Sequence, residues 1–293
     1  NLFSLTASFL DNKYTLENTN EQVIEFIKEV LFNPLIKDNK FDDKLVELAK
    51  RGYLEDIKSI PDSPNQYSVI KMRNLISSES LYAFSPYFCL DEINNITNED
   101  LINIYHDIIN NSQVDISIIG DVNDDIVSLF DKLPIKSKIY NDSVYSLVKN
   151  NTIEQIDEGN YSQSKLVMAY NLNNLTEQEK MYTTYIYSFI LGGSSDSLLF
   201  KKLRQDNSLC YYADSNYVLF YQMLEINVGL ESENYDKAVT LVKEAIQDIA
   251  NGKISEEDIE KAKVTYKNAW KEILDNPLSI INMYLAHVYY NLD

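Results

Sequence analysis

The amino-acid sequence predicts an α+β fold built from two homologous halves. Three observations predict it: amphipathic helices with clear start and stop signals, short strands of alternating polarity between them, and an internal repeat. Hydrophobic residues make up 45 % of the 293-residue chain, which is enough for a buried core in each half. In each half we expect a mostly antiparallel sheet with helices on one face.

In the first half, alternation of apolar and polar side chains predicts strands at 2–10 and 114–118. The predicted helices of this half are 21–32, 42–57, 66–77, one that opens at the capping box Thr97–Asp100, and a short one that ends near Leu133.

The second half shows the same alternation of strands and helices. Its predicted strands are 152–157, 163–170, 209–219 and 222–230. Its predicted helices run from a capping box at Thr176 to Gly192, over 234–250 with Gly252 as the C-cap, over 255–275, and from about Leu278 onward. In strand 222–230 we expect Leu224, Ile226 and Val228 to be buried against helices 234–250 and 255–275.

An internal repeat links the two halves. The matching segments are Glu25–Val30 with Thr240–Ala245, Phe41–Lys50 with Ile254–Lys263, and Ser63-Pro64 with Asn276-Pro277, at offsets of 215, 213 and 213 residues. The first copy has no counterpart of 152–215, and the second has no counterpart of roughly 80–135. We therefore expect a fragment in which both ends are truncated.

The repeat and the composition predict how the chain divides. Residues 1–135 form the C-terminal part of the first half, 136–150 are a polar linker, and 151–293 form the N-terminal part of the second half.

Composition and charge exclude some classes of function. A formal net charge of −19 repels phosphate backbones, so we expect no nucleic-acid partner. The acidity is that of a solvated surface, or it attracts basic peptides. No segment is apolar and uncharged over the length of a membrane span, so none is expected. The two cysteines, Cys89 and Cys210, favour a reducing, cytoplasmic location.

The most informative stretch is 191–212, which holds two of the seven glycines side by side. Gly192 and Gly193 are expected to adopt left-handed φ and end a helix, and a serine among residues 194–197 is expected to cap the next one. Arg204 and Tyr211 follow, seven residues apart. On these residues alone the arginine either serves a site or is an ordinary surface residue paired with Asp196 or Asp206.

No catalytic constellation can be built from the sequence. A zinc peptidase needs three protein ligands and a general base, whereas this chain has two histidines, His106 and His287, far apart. We expect each to pack or cap on its helix. Ser-His-Asp, Cys-His and phosphate-loop patterns are also missing from the sequence.

The 191–212 stretch resembles the second-half signature of the M16 family (insulinase, pitrilysin, mitochondrial processing peptidase). The shared order is Leu-Gly-Gly, small residues, Leu-Phe, Arg, then Leu-x-Tyr. Residues 86–122 and Gln163-Ser164 are also similar to the family. The resemblance implies tandem LuxS/MPP-like α/β halves, and it implies that Arg204 and Tyr211, with Gly192 and Gly193, bind substrate.

The resemblance also locates the family's zinc ligands. Its His-x-x-Glu-His lies on a first-half helix equivalent to 176–191, which this chain lacks. Its Glu-x6-Glu pair aligns with Ala49 and Asp56, so one carboxylate is missing and the other is shorter. These departures imply a degenerate metal position and no cofactor in this chain, with zinc only if a missing region supplies the histidines.

The sequence therefore favours a non-catalytic M16 homologue, inactive as presented. Such a protein resembles the degenerate member of the M16-like pairs found in Firmicute bacteria. It would bind a peptide or unfolded protein segment, and it would pair with an active M16 homologue or form a homodimer. One alternative is an active zinc metalloendopeptidase whose His-x-x-Glu-His lies in a missing N-terminal region. Another is a structural scaffold without peptide binding.

Overall fold

The computed structural model describes residues 3–78, 80, 82–135, 152–172 and 174–290. They form an α+β protein in which helices predominate, as the sequence predicted. A sheet was expected in each half, whereas the strands of the described residues make one three-stranded antiparallel sheet. The helices are α1 (Thr19–Phe32), α2 (Asp43–Lys58), α3 (Pro64–Ile76), α4 (Leu90–Asn95), α5 (Asn98–Asn111), α6 (Asp124–Phe130), α7 (Thr184–Gly192), α8 (Tyr235–Ala250), α9 (Glu256–Asp275) and α10 (Pro277–Tyr290). The strands are β1 (Ser164–Asn171), β2 (Cys210–Val218) and β3 (Met223–Leu230).

The chain forms two compact units. One is drawn from Asn1–Glu55 and Cys89–Asp142, and the other from Asp56–Phe88 and Ser143–Asp293. The predicted linker 136–150 lies outside the described residues, so the division into homologous halves at that place stays a prediction. Segment 56–88 precedes the predicted linker, but it packs with the unit that contains the sheet.

The predicted capping boxes are present in the structure. Thr97 and Asp100 cap α5 reciprocally, and Ser255 and Asp258 do the same for α9. The Thr176 box opens a π-helical turn, Glu179–Thr183, that leads directly into α7.

The first unit consists of helices held together by a few polar contacts around buried isoleucines. The Tyr105 hydroxyl of α5 donates to the Leu31 carbonyl of α1 at 2.9 Å. The Lys50 ammonium of α2 donates to the carbonyls of Asn94 and Ile96 at 3.0 Å each, where α4 ends. These bonds satisfy backbone acceptors that a helix end leaves open.

Three predicted strands are not formed. Residues 3–10, 114–118 and 152–157 are described, and none of them lies in a strand. Alternating polarity predicts which face of a strand would be apolar, but a strand also needs a neighbour with which to pair, and that partner is set by the fold. Side chains such as Phe3 and Ile116 are accordingly exposed.

The sheet has the order β1-β3-β2, so β3 is its central strand. Both neighbours pair antiparallel to it. Leu224, Ile226 and Val228 of β3 are buried, which confirms the predicted register. They belong to one core cluster with Ala238, Val242 and Ala245 of α8 and with Leu191, Leu199 and Leu203, which follow in sequence from the end of α7.

The packing of α9 differs from the prediction. We expected α9 to cover β3, but it packs mainly against α7. The Tyr266 hydroxyl of α9 donates to the Met181 carbonyl at 3.2 Å, and its ring lies 6.0 Å from that of Tyr185. The amphipathic stripe of α9 indicated a buried face but not which element would cover it.

On the second face of the sheet, α3 packs against β1 and reaches β3 through one ion pair. Side chains alternate along a strand, so Glu225 points away from the core cluster formed by Leu224 and Ile226. It meets Arg73 of α3 there. This places one helix of segment 56–88 on the face of the sheet opposite α7 and α8.

Helix starts agree with the spacing of the predicted repeat. Asp43 and Glu256, the first residues of α2 and α9, are 213 residues apart, and so are Pro64 and Pro277 at the starts of α3 and α10. The repeat itself remains a prediction, and matching helix starts are the pattern that it requires.

Candidate functional site

Gly192 and Gly193 end α7 without the left-handed backbone that we expected. Gly193 follows the helix with φ −84° and ψ −4°, and neither residue of the pair has a positive φ. That prediction is wrong. A Cβ on Gly192 would lie 2.4 Å from the Ser215 backbone nitrogen of β2. Gly192 is therefore needed because the helix end packs directly on a strand backbone, which any side chain would push away.

The segment that carries Arg204 begins at a serine cap, as the run of serines predicted. The Phe200 amide donates to Ser197 Oγ at 3.4 Å. Residues Phe200–Gln205 then form a π-helical turn, a rare geometry that occurs often at functional sites. Leu203 on this turn is fully buried while Arg204 is exposed, so the turn is fixed to the core and presents the guanidinium at the surface.

Arg204 binds the backbone of the strand that follows it. Its Nη1 donates to the Tyr211 carbonyl, and its guanidinium carbon lies 5.5 Å from the centre of the Phe200 ring. Among the described residues, the surface ion pair with Asp196 or Asp206 is not formed. Arginine has five N–H donors in a planar fork, so donors remain after the bond to Tyr211.

Tyr211 is the extra residue of a β-bulge. Cys210 pairs with Leu230 and Tyr212 pairs with Gly229, so Tyr211 has no opposite residue on β3. Bulges re-aim side chains, and here the Tyr211 ring is directed outward with 48 % of its surface exposed. The bulge thus joins Arg204 and Tyr211 into one surface feature.

Glu231 completes this feature and was missed by the sequence interpretation. It comes directly after β3, and its carboxylate accepts a hydrogen bond from the Tyr211 hydroxyl. This bond is the main reason that the pKa of Tyr211 is raised. The signal was available, because antiparallel pairing of the predicted strands 209–219 and 222–230 brings position 231 beside position 211. We call Arg204, Tyr211 and Glu231 the surface triad.

A shallow cleft of about 520 Å³ lies elsewhere on the same unit. Its walls include Ser194, Asp196 and Leu198 on one side and Glu257 and Lys261 of α9 on the other. Neither Arg204 nor Tyr211 lines it. The surface triad therefore lies outside this cleft.

The position that the family resemblance assigns to a zinc ligand pair lies on α2. Ala49 and Asp56 both lie exposed on α2, and alanine has no ligand atom. His106 is exposed on α5, and the side chain of His287 lies outside what the structure describes. Within the described part of the chain, no three His, Cys, Asp or Glu side chains come together as a metal site requires. The residues described here do not fit a catalytic zinc.

A second Arg–Tyr–Glu cluster lies buried behind the sheet, and we call it the buried triad. Glu225 of β3 is 3 % exposed and accepts bonds from Arg73 Nε at 2.8 Å, from Arg73 Nη2 at 3.0 Å and from the Tyr82 hydroxyl at 2.5 Å. Burial, and then the bond to Glu225, raise the pKa of Tyr82. A glutamate inside an apolar strand was the sequence signal for such a cluster, and it went unused.

The fold and these departures define the class of protein. The family model described as "Peptidase M16 inactive domain" matches residues 95–266, more than half of the chain. The chain belongs to the peptidase M16 family, and it is similar to members described as inactive.

Comparisons with individual proteins agree with this assignment to the family. The chain is 27 % identical over 275 residues to "Probable inactive metalloprotease YmfF" of Bacillus subtilis (strain 168), covering 90 % of this chain and 64 % of that protein. It thus spans less than two thirds of this relative's length. A conserved protein from Enterococcus faecalis V583 has a TM-score of 0.87 at 25 % identity, covering 96 % of this chain and 68 % of that one.

A more distant solved structure shares the fold. The peptidase M16 inactive domain from Pseudomonas fluorescens has a TM-score of 0.70 at 17 % identity, over 93 % of this chain and 66 % of that one. Among the described residues of our chain, no helix is both long and apolar enough to cross a membrane.

Proposed function

We propose that this protein is a non-catalytic M16 subunit that binds peptide through Arg204 and Tyr211 and pairs with an active M16 homologue. The observation that carries the proposal is the surface triad, in which an arginine with remaining donors and an exposed tyrosine ring are held side by side. The same residues are those that the family resemblance assigns to substrate.

The geometry suits an extended peptide. A guanidinium can donate paired hydrogen bonds to a peptide carbonyl or carboxylate, and an exposed aromatic ring offers apolar area at low entropic cost. Both groups stand on rigid supports, because Arg204 is on a turn whose Leu203 is in the core and Tyr211 is on a strand paired with β3. A rigid support lowers the entropy that binding must overcome.

The departure from the family's glutamate pair supports the non-catalytic part of the proposal. Ala49 and Asp56 replace the two glutamates expected from the family resemblance, and the relatives above include proteins described as inactive. A protein without its own zinc can still hold substrate for a partner that has one. The proposal has two further parts: this protein needs no metal of its own, and it acts in the cytoplasm.

One solved neighbour illustrates such binding in another protein. The ferredoxin protease FusC, crystallised as an E83A mutant in complex with Arabidopsis ferredoxin, has a TM-score of 0.58 to this chain at 14 % identity. At that identity the likeness concerns the fold alone. It supports the idea that a protein containing this fold can form a complex with another protein.

The test measures turnover of a fluorogenic peptide by an active M16 homologue in the presence of the full chain. The wild type should raise turnover. Arg204→Ala should remove most of that increase, and Tyr211→Phe, which keeps the ring but loses the hydroxyl, should remove a smaller part of it. Arg51→Ala is the matched control, because Arg51 is an exposed arginine on α2 outside the surface triad. We expect this control to behave as the wild type does.

Two outcomes would contradict the proposal in different ways. If the triad variants support turnover as well as the wild type does, the residues do not bind substrate and a scaffold role is favoured. If the protein cleaves peptide alone and a zinc chelator stops it, the protein is an active metallopeptidase.

A further inference from the structure

We propose that Glu231 makes the surface triad selective for peptides that carry a basic side chain next to the residue held by Arg204. This inference rests on the proposed function, because it names the peptide class for the same site. It uses a residue that neither the sequence interpretation nor the family resemblance assigns to binding.

Glu231 has a fixed position in the triad. It follows Leu230, whose partner across the ladder is Cys210, so it lies at the end of β3 that adjoins the Tyr211 bulge. Its carboxylate accepts a hydrogen bond from the Tyr211 hydroxyl, while Arg204 donates a hydrogen bond to the Tyr211 carbonyl. The negative and positive groups therefore stand at opposite ends of one tyrosine, separated by the length of its side chain.

The carboxylate of Glu231 is not neutralised by a lysine or arginine in the described part of the chain. The lysines beside Arg204 already have partners, since Lys201 pairs with Asp258 at 3.6 Å and Lys202 with Asp248 at 2.7 Å. A carboxylate can accept about four hydrogen bonds, and the tyrosine uses one. Glu231 thus retains both its charge and its acceptor capacity for a ligand.

A basic side chain fits this arrangement. With a peptide carbonyl bound to Arg204, a neighbouring lysine could lay its aliphatic stem along the exposed Tyr211 ring and reach Glu231 with its ammonium. The ring face also favours a cation. An acidic side chain would meet Glu231 and the net charge of −19 instead, and it would be repelled.

The experiment uses three fluorescein-labelled peptides of Gly, Ser and Leu that differ at one central residue: lysine, acetyl-lysine or glutamate. Binding to the full chain is followed by fluorescence anisotropy at low salt. The wild type should bind the lysine peptide about two- to fivefold more tightly than the acetyl-lysine peptide, the range for a partly exposed ion pair. The glutamate peptide should bind most weakly.

Variants separate this inference from the proposed function. Glu231→Gln should bind the lysine and acetyl-lysine peptides equally, because the amide oxygen still accepts the Tyr211 hydroxyl but carries no charge. Glu233→Gln, an equal loss of charge on an exposed residue of the adjoining turn, should keep the preference for lysine. Arg204→Ala should weaken the binding of all three peptides by the same factor.

Each result decides one of the two statements. If Arg204→Ala weakens binding but the wild type does not distinguish lysine from acetyl-lysine, the role of Glu231 is wrong and the proposed function stands. The same holds if Glu231→Gln keeps the preference. If Arg204→Ala changes nothing, or no peptide binds the wild type, the proposed function fails and the role of Glu231 fails with it.

Discussion

The chain holds the same three side-chain types, Arg, Tyr and Glu, in two very different surroundings. In the buried triad, Glu225 is 3 % exposed and its carboxylate is bound by Arg73 and Tyr82 together. In the surface triad, Tyr211 is 48 % exposed, and Arg204 and Glu231 each bind it but do not pair with each other.

The difference shows what each arrangement can do. Inside the protein an unpaired carboxylate is very costly, so Arg73 and Tyr82 are committed to Glu225 and have little to offer a ligand. At the surface, water can replace any of the contacts at low cost, so Arg204 and Glu231 can exchange them for peptide groups. The buried triad thus has the contacts of a structural cluster, and the surface triad keeps the exposed polar groups that the proposed function requires.

Removing the arginine of the buried triad should have the largest effect on stability. Arg73→Ala leaves the Glu225 carboxylate buried with only the tyrosine bond, and breaking such a pair costs about 3–5 kcal/mol. We expect the lower end of that range, because the Arg73 side chain is 34 % exposed and water can enter where it was. Urea unfolding measures the change, with Arg51→Ala as the control.

The double variant Arg73→Met with Glu225→Leu sharpens this prediction. Replacing both charges with apolar groups of similar volume should recover part of the lost stability, because no unpaired charge is left behind but the buried Tyr82 hydroxyl loses its acceptor. A cost below about 1 kcal/mol for Arg73→Ala, the value of a surface pair, would show that the buried triad does not hold the fold.

The tyrosine of the buried triad should make stability depend on alkaline pH. The pKa of Tyr82 is raised above its ordinary value of 10.0 by burial and by the bond to Glu225. The unfolded chain therefore releases this proton at a lower pH than the folded chain does. The stabilisation that Tyr82 contributes is fully present below pH 10 and is lost as the pH rises further.

Urea midpoints measured from about pH 9 to pH 11 test this linkage, since free tyrosine titrates near 10. The loss of stability should be less steep in Tyr82→Phe than in the wild type. Tyr211→Phe is the matched comparison from the surface triad, and its slope should fall less than that of Tyr82→Phe, because the bond that raises the pKa of Tyr211 is exposed to water. Equal slopes in the wild type and Tyr82→Phe would contradict the prediction.

The sequence predicted the fold class, the longer helices and the register of β3, since all three depend on local periodicity and caps. It did not predict which strands would pair, because pairing depends on residues far apart along the chain. Gly192 and Gly193 were predicted for the wrong reason. Neither has a positive φ, and the close packing of Gly192 against Ser215 cannot be read from sequence.

The two triads, like the fold, were predicted only in part. Arg204 and Tyr211 came from the spacing of a family signature, and the structure brings them into contact. Glu231 and the buried triad were missed, because the side chains are distant in sequence and meet only through strand pairing and through α3. Glu225 within β3 and Glu231 directly after β3 were signals that an analysis of strand pairing could have used.

The most direct test of the central claim measures stability and peptide binding side by side in two arginine variants. Arg204→Ala should weaken binding of the lysine peptide severalfold and change the unfolding free energy by no more than about 1 kcal/mol, as expected for an exposed contact. Arg73→Ala should lose stability, and at a temperature where it is still folded it should bind that peptide as the wild type does. If Arg204→Ala instead loses stability and retains peptide binding, the surface triad is structural and the account is contradicted.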